Sequence, residues 1–102
     1  MNNANKSVLL INAIVNKEHI SELPGYLGNV MQVFGKNGGK PIGRFKTVEN
    51  LLGEDSPEMT ALIEFPNAEV IKELVKGEEF LALSEVRVRV FRKLNMLVCD
   101  AF

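Results

Sequence analysis

The chain contains one histidine, one tyrosine and one cysteine, so the side chains that could move a proton or act as a nucleophile can be weighed singly. His19 is the only group whose ordinary titration lies near neutrality, which makes it the default general base; the plainer reading is a solvated helix residue. Tyr26 is a second proton-donor candidate, against a core or interface role. Glu64, on a strand, would serve as a base or pair with an arginine. Arg87 falls on one helical face with Phe80 and Leu83, and a guanidinium beside apolar surface can hold a carboxylate or enolate bidentately. Its structural alternatives are an ion pair with Glu64 or Glu79, or a stem laid along the surface. Asn12, the one polar residue on the inner stretch of an apolar strand, joins Phe80 as a candidate ligand contact.

Other constellations are weaker. Cys99 sits between Val98 and Asp100 with no cue for activation and reads as a buried thiol. One His and one Cys make no metal site of common spacing, and no cofactor is expected. Glu54, Asp55 and Glu58 form a solvated turn. Gly35, Gly38 and Gly39 lack the phosphate-loop and dinucleotide spacings and read as a helix stop. Arg87, Arg89, Arg92 and Lys93 cluster locally, yet the strand Met59 to Phe65 carries none of the basic-Gly-aromatic pattern of RNA-recognition domains.

The elements that must position these groups come from 102 residues and 11.3 kDa, the size of one domain, residues 1–102. A net charge of −1 gives no broad basic field, which argues against nucleic acid, and 46% hydrophobic residues exclude disorder. Residues 1–6 are expected to be flexible. They lack a signal-peptide pattern, no run reaches the length of a membrane span, and a single cysteine suits a reducing, cytoplasmic setting.

Ser7 to Asn16 alternates Leu9, Ile11, Ala13 and Val15 on one face with Val8, Leu10, Asn12 and Ile14 on the other, which predicts a strand covered on both sides. A helical stripe runs from Ile20 to Phe34, with Pro24-Gly25 breaking it so that regular helix begins at about Gly25. Lys40 to Leu52 reads as a long edge strand and Glu58 to Phe65 as its hairpin partner. Pro66-Asn67 opens a helix that Gly77 ends. Between Glu78 and Phe91 strand and helix patterns compete, and helix is favoured to at least Arg87. Leu94 to Phe102 is the last strand. The order β-α-β-β-α-α-β predicts an α+β, ferredoxin-like domain: a four-stranded antiparallel sheet with helices on one face. Helices on one side leave Val8, Leu10, Ile14 and Leu62 uncovered, so a sheet-to-sheet homodimer, a dimeric α/β barrel, is expected.

Gly38-Gly39-Lys40, Gly43-Arg44, Ala61 to Asn67 (ALIEFPN), Glu79 to Leu83 (EFLAL) and Arg87 resemble, in order and spacing, the proteins grouped as domain of unknown function 1330. The resemblance spans about Val8 to Asp100 and implies a dimeric α/β-barrel fold related to antibiotic-biosynthesis monooxygenases and muconolactone-isomerase-like proteins. It does not imply a reaction. It adds Arg44 to Arg87 as a ligand-binding candidate. Leu74-Val75 stand where such proteins often carry an aromatic pair and Phe80 where they carry a tyrosine, and after Arg44 the usual small residues are replaced by Phe45-Lys46. The expected function is binding of a small apolar or anionic metabolite, such as a carboxylate; the alternative is a cofactor-independent isomerase or monooxygenase-like enzyme with a pocket between sheet and helices.

Overall fold

A computed structural model describes residues 6–102, so the expected flexible segment 1–6, Lys6 apart, lies outside the described residues. The elements run β1 (Ser7–Val15), a 3-10 helix (Lys17–Glu22), α1 (Leu23–Lys36), β2 (Lys40–Lys46), β3 (Met59–Phe65), α2 (Ala68–Lys76), α3 (Glu78–Leu81), α4 (Ser84–Val90) and β4 (Phe91–Asp100). The four strands form one antiparallel sheet in the order β2-β3-β1-β4. This is the ferredoxin-like plan, with β2 at an edge as its Pro41 requires. No helix among the described residues is long and apolar enough to cross a membrane.

Register fixes which side chain meets which layer. Leu9 pairs with Ile63 and Val98, and Ile11 with Ala61 and Met96, so these residues share the helix-facing side. Phe34 of α1 meets Phe65 edge to face at 6.0 Å, and Tyr26 meets Phe91 at 5.6 Å. Ile71, Leu74, Phe80 and Val90 complete the buried layer from α2, α3 and α4. The opposite face carries Val8, Leu10, Asn12 and Ile14 of β1, with Leu62, Leu97 and Cys99 as cross-strand neighbours. The molecule is 17 Å through its short axis, the depth of one sheet and one helix layer.

Several boundaries differ from the sequence reading. Asn16 accepts the Glu18 N–H and starts a 3-10 turn, and α1 begins at Leu23, because Pro24 occupies its first turn, where a missing N–H costs nothing. The stop falls after Lys36, beyond Gly35, where Gly38 adopts φ +84°. Gly39 follows with no room for a side chain: a Cβ there would lie 2.7 Å from both the Phe34 carbonyl and the Phe65 ring. β2 ends at Lys46 rather than Leu52, since the Thr47 N–H and hydroxyl bond to the Glu58 and Pro57 carbonyls and close the hairpin. The competing 78–91 segment resolves into two short helices, and β4 starts at Phe91, three residues before the expected Leu94, and ends at Asp100 rather than Phe102.

Candidate functional site

The side chains on the helix-facing side of the sheet are not uniformly large. Ala13 and Ala61 lie beneath α1, where Ile11 and Val15, and Met59 and Ile63, fill the neighbouring positions on the same face of their strands. The deficit leaves a cavity of about 360 Å³ between α1 and the sheet, bounded by Leu27, Val30 and Met31 from the helix and Ala61, Phe91 and Met96 from the strands. That volume is at the lower end of ordinary small-molecule sites, roughly a dozen water volumes. Three of the four methionines, Met31, Met59 and Met96, line it, and their unbranched thioethers adapt to irregular guests.

Polar character enters at two places. Arg44 and Lys46, alternate residues of the edge strand β2, line the cavity and are exposed, and neither forms an ion pair with any described residue. Tyr26, only 5% exposed, also lines it. The phenol oxygen accepts the Arg87 Nε–H at 2.9 Å, and the phenol's own hydrogen has no acceptor among the described residues.

The two arginine candidates therefore stand differently. Arg87 is half-buried on α4 and does not line the cavity. It donates to the Tyr26 hydroxyl, to the Phe80 carbonyl at 2.8 Å and to Ser84 Oγ at 3.4 Å, and its guanidinium carbon stacks 3.7 Å from the Phe80 ring centre. The ion pairs considered for it go elsewhere: Glu79 binds Lys36 at 2.6 Å and Glu64 faces Lys6 at 3.6 Å. Phe80 is buried beneath that stack.

The remaining candidates are dispersed. His19 lies in the 3-10 helix with Nδ1 3.1 Å from Glu22, away from the cavity. Glu22 also receives Arg89 Nη2 at 2.7 Å, and the Arg89 hydrogen bonds, helped by His19, hold its carboxyl below the usual range against the opposing effect of desolvation. Asn12 is on the opposite sheet face, where its Oδ1 accepts the Thr60 hydroxyl at 3.0 Å; Glu64 shares that face, as its register with Val8 requires. Cys99 is half-buried opposite Val8. Of the carboxylates read as a turn, Glu58 does more: its Oε1 accepts the Val15 N–H at 2.8 Å where the β1–β4 register slips. A pocket between sheet and helices is expected from the sequence only under the catalytic alternative, and without its lining residues. The available signal was the pair Ala13 and Ala61 on an otherwise bulky strand face.

Solved structures share this architecture. A protein of unknown function from Rhodopseudomonas palustris superposes with a TM-score of 0.81 at 12% identity, covering 97% of this chain and 84% of that one. A putative antibiotic biosynthesis monooxygenase from Bacteroides thetaiotaomicron gives 0.69 at 18% identity, covering 99% and 91%. A dimeric protein of unknown function with a ferredoxin-like fold from Bacteroides fragilis gives 0.66 at 10% identity, covering 94% and 96%. At these identities the likeness is one of fold. Among curated proteins none is significantly similar in sequence. Residues 8–102 match the model of the domain of unknown function DUF1330, and the chain belongs to that family.

Proposed function

We propose that this protein is a homodimeric small-molecule-binding module whose α1–sheet cavity takes an apolar molecule bearing one anionic group. The observation that carries this reading is a 360 Å³ apolar cavity whose two charged lining residues, Arg44 and Lys46, have no ion-pair partner among the described residues. An apolar guest gains from leaving water, and a carboxylate at Arg44 converts an exposed cation into a bidentate contact. The open sheet face supports the assembly, and the Bacteroides fragilis protein of similar fold is described as dimeric. A cytoplasmic setting suits the single thiol.

Titration calorimetry with 8-anilinonaphthalene-1-sulfonate, an apolar monoanion, and with decanoate beside its uncharged amide, tests the reading. The anions bind and the amide binds at least tenfold more weakly, a difference of about 1.4 kcal/mol that disappears in Arg44→Ala. Equal affinity for acid and amide overturns it.

Tyr26 favours a second reading. A phenol whose oxygen is fixed by a guanidinium and whose hydrogen has no acceptor among the described residues can donate that hydrogen to a guest, so proton transfer by a cofactor-independent isomerase, or monooxygenase-like chemistry, is the catalytic alternative. The fold likeness to a putative monooxygenase is an analogy of scaffold only. Turnover abolished in Tyr26→Phe with binding retained would mark it.

A further inference from the structure

The segment between β2 and β3 is built to display apolar side chains. Val48 is 91% exposed, Leu51 86% and Leu52 93%. The loop around them is held in shape: the Asn50 side chain accepts the Leu52 N–H and donates to the Gly53 carbonyl, both at 3.0 Å, and Gly53 turns at φ +93°. At its foot, Ser56 and Pro57 bound a cleft of about 170 Å³ with Asn12, Ile14 and Asn95 of the open sheet face, and Asp55 reaches Lys93 at 3.8 Å. The loop thus leaves the sheet on the side that no helix covers.

We infer that the loop Thr47–Pro57 is a clasp on a second copy of this chain, with Val48, Leu51 and Leu52 seated on the partner at the margin of the sheet-to-sheet contact. The inference rests on the homodimer proposed above and adds to it the surface that completes the interface.

Area supports this occupant. Four strands roughly eight residues long, about 4.8 Å apart with a rise of ~3.4 Å, present a flat face of about 500 Å². A stable specific interface takes about 800 Å² from each partner. Three aliphatic side chains at roughly 100 Å² each extend the apolar surface that a narrow four-stranded face can offer a partner. Two-fold symmetry makes both loops engage identically. Charge agrees: beside Asp55, which meets Lys93 of its own chain, the loop carries Glu49 and Glu54 and no basic residue, whereas exposed Arg92 heads β4, and none of these three has an ion pair among the described residues.

Sedimentation velocity of the full chain across nanomolar to micromolar concentration tests the clasp, with Val48→Ser/Leu51→Ser/Leu52→Ser as the variant. These positions contribute nothing to the core, and circular dichroism checks that the fold is kept. The dimer dissociation constant rises at least tenfold, and Asn50→Gly, which removes the hydrogen bonds shaping the loop but keeps its apolar residues, raises it by less. A wild-type protein that stays monomeric overturns both the homodimer and the clasp. A wild-type dimer matched in tightness by the triple variant overturns the clasp alone. An unchanged dimer with weaker anilinonaphthalene sulfonate binding overturns it also, by assigning the loop to the cavity.

Discussion

Arg87 of α4 donates its Nε–H to the Tyr26 hydroxyl of α1 across 2.9 Å, and this bond ties the last helix to the wall of the cavity. The guanidinium has three hydrogen-bond partners and an aromatic face, so it acts as a bracket between α1, α3 and α4. Replacing Arg87 by Lys removes the planar fork that serves those partners, and destabilisation by about 1–3 kcal/mol is expected in urea unfolding. A double-mutant cycle with Tyr26→Phe should give a coupling of about 1 kcal/mol, and independent effects would show that the bond contributes nothing.

Filling the cavity should separate binding from stability. Ala61→Leu places a larger aliphatic group into the empty volume beneath α1, and the thermal midpoint is expected to hold or rise while anilinonaphthalene sulfonate binding is lost. Retained fluorescence enhancement would place the probe elsewhere.

Gly39→Ala should be among the costliest single-methyl additions. Its Cβ would lie 2.7 Å from the Phe34 carbonyl oxygen and from the Phe65 ring, so the start of β2 or the α1–β3 packing must shift. A loss of about 1–3 kcal/mol is expected from denaturant curves, and a change under about 0.5 kcal/mol would contradict this packing.

The Glu22 cluster predicts a sign for pH dependence. Its carboxyl titrates lower in the folded chain than its ordinary 4.5, chiefly through Arg89, so the contribution is present above that value and fades as pH falls through the folded value. Thermal midpoints of wild type and Glu22→Gln should differ modestly at pH 6 and 150 mM salt, less at 1 M salt, and converge in acid. A gap that widens as the solution is acidified would reverse the assignment.

Much of the fold is legible in the residues because local chemistry and burial agree. Asn67 accepts the Val70 N–H and starts α2 at Ala68, and the alternation of Met59, Ala61, Ile63 and Phe65 faces the helices as its period demands. Boundaries were less legible where a tertiary bond competes with pattern. The segment from Lys40 reads as extended as far as Leu52, yet hairpin closure at Thr47 removes the rest from the sheet. Val86 to Val90 alternates as a strand would, but as a helix it buries Val90 and aims Arg87 at Tyr26.

The sequence by itself determined where strands and helical segments alternate, the edge position of β2, the two-sided apolar character of β1 and the family, though not the division of 78–90 into two helices. Those follow from period, turn chemistry and motif, which are properties of neighbours along the chain. Only the tertiary structure decided that Arg44 and Tyr26 line one cavity while Arg87 is committed to packing. A cavity is a shortage of volume between elements distant in sequence, here Ala13 and Ala61 beneath α1, and a side chain's role is set by which partners reach it first. The small residues can be seen in each strand, but that they lie together under α1, and which partners reach a side chain, is set between segments distant in sequence.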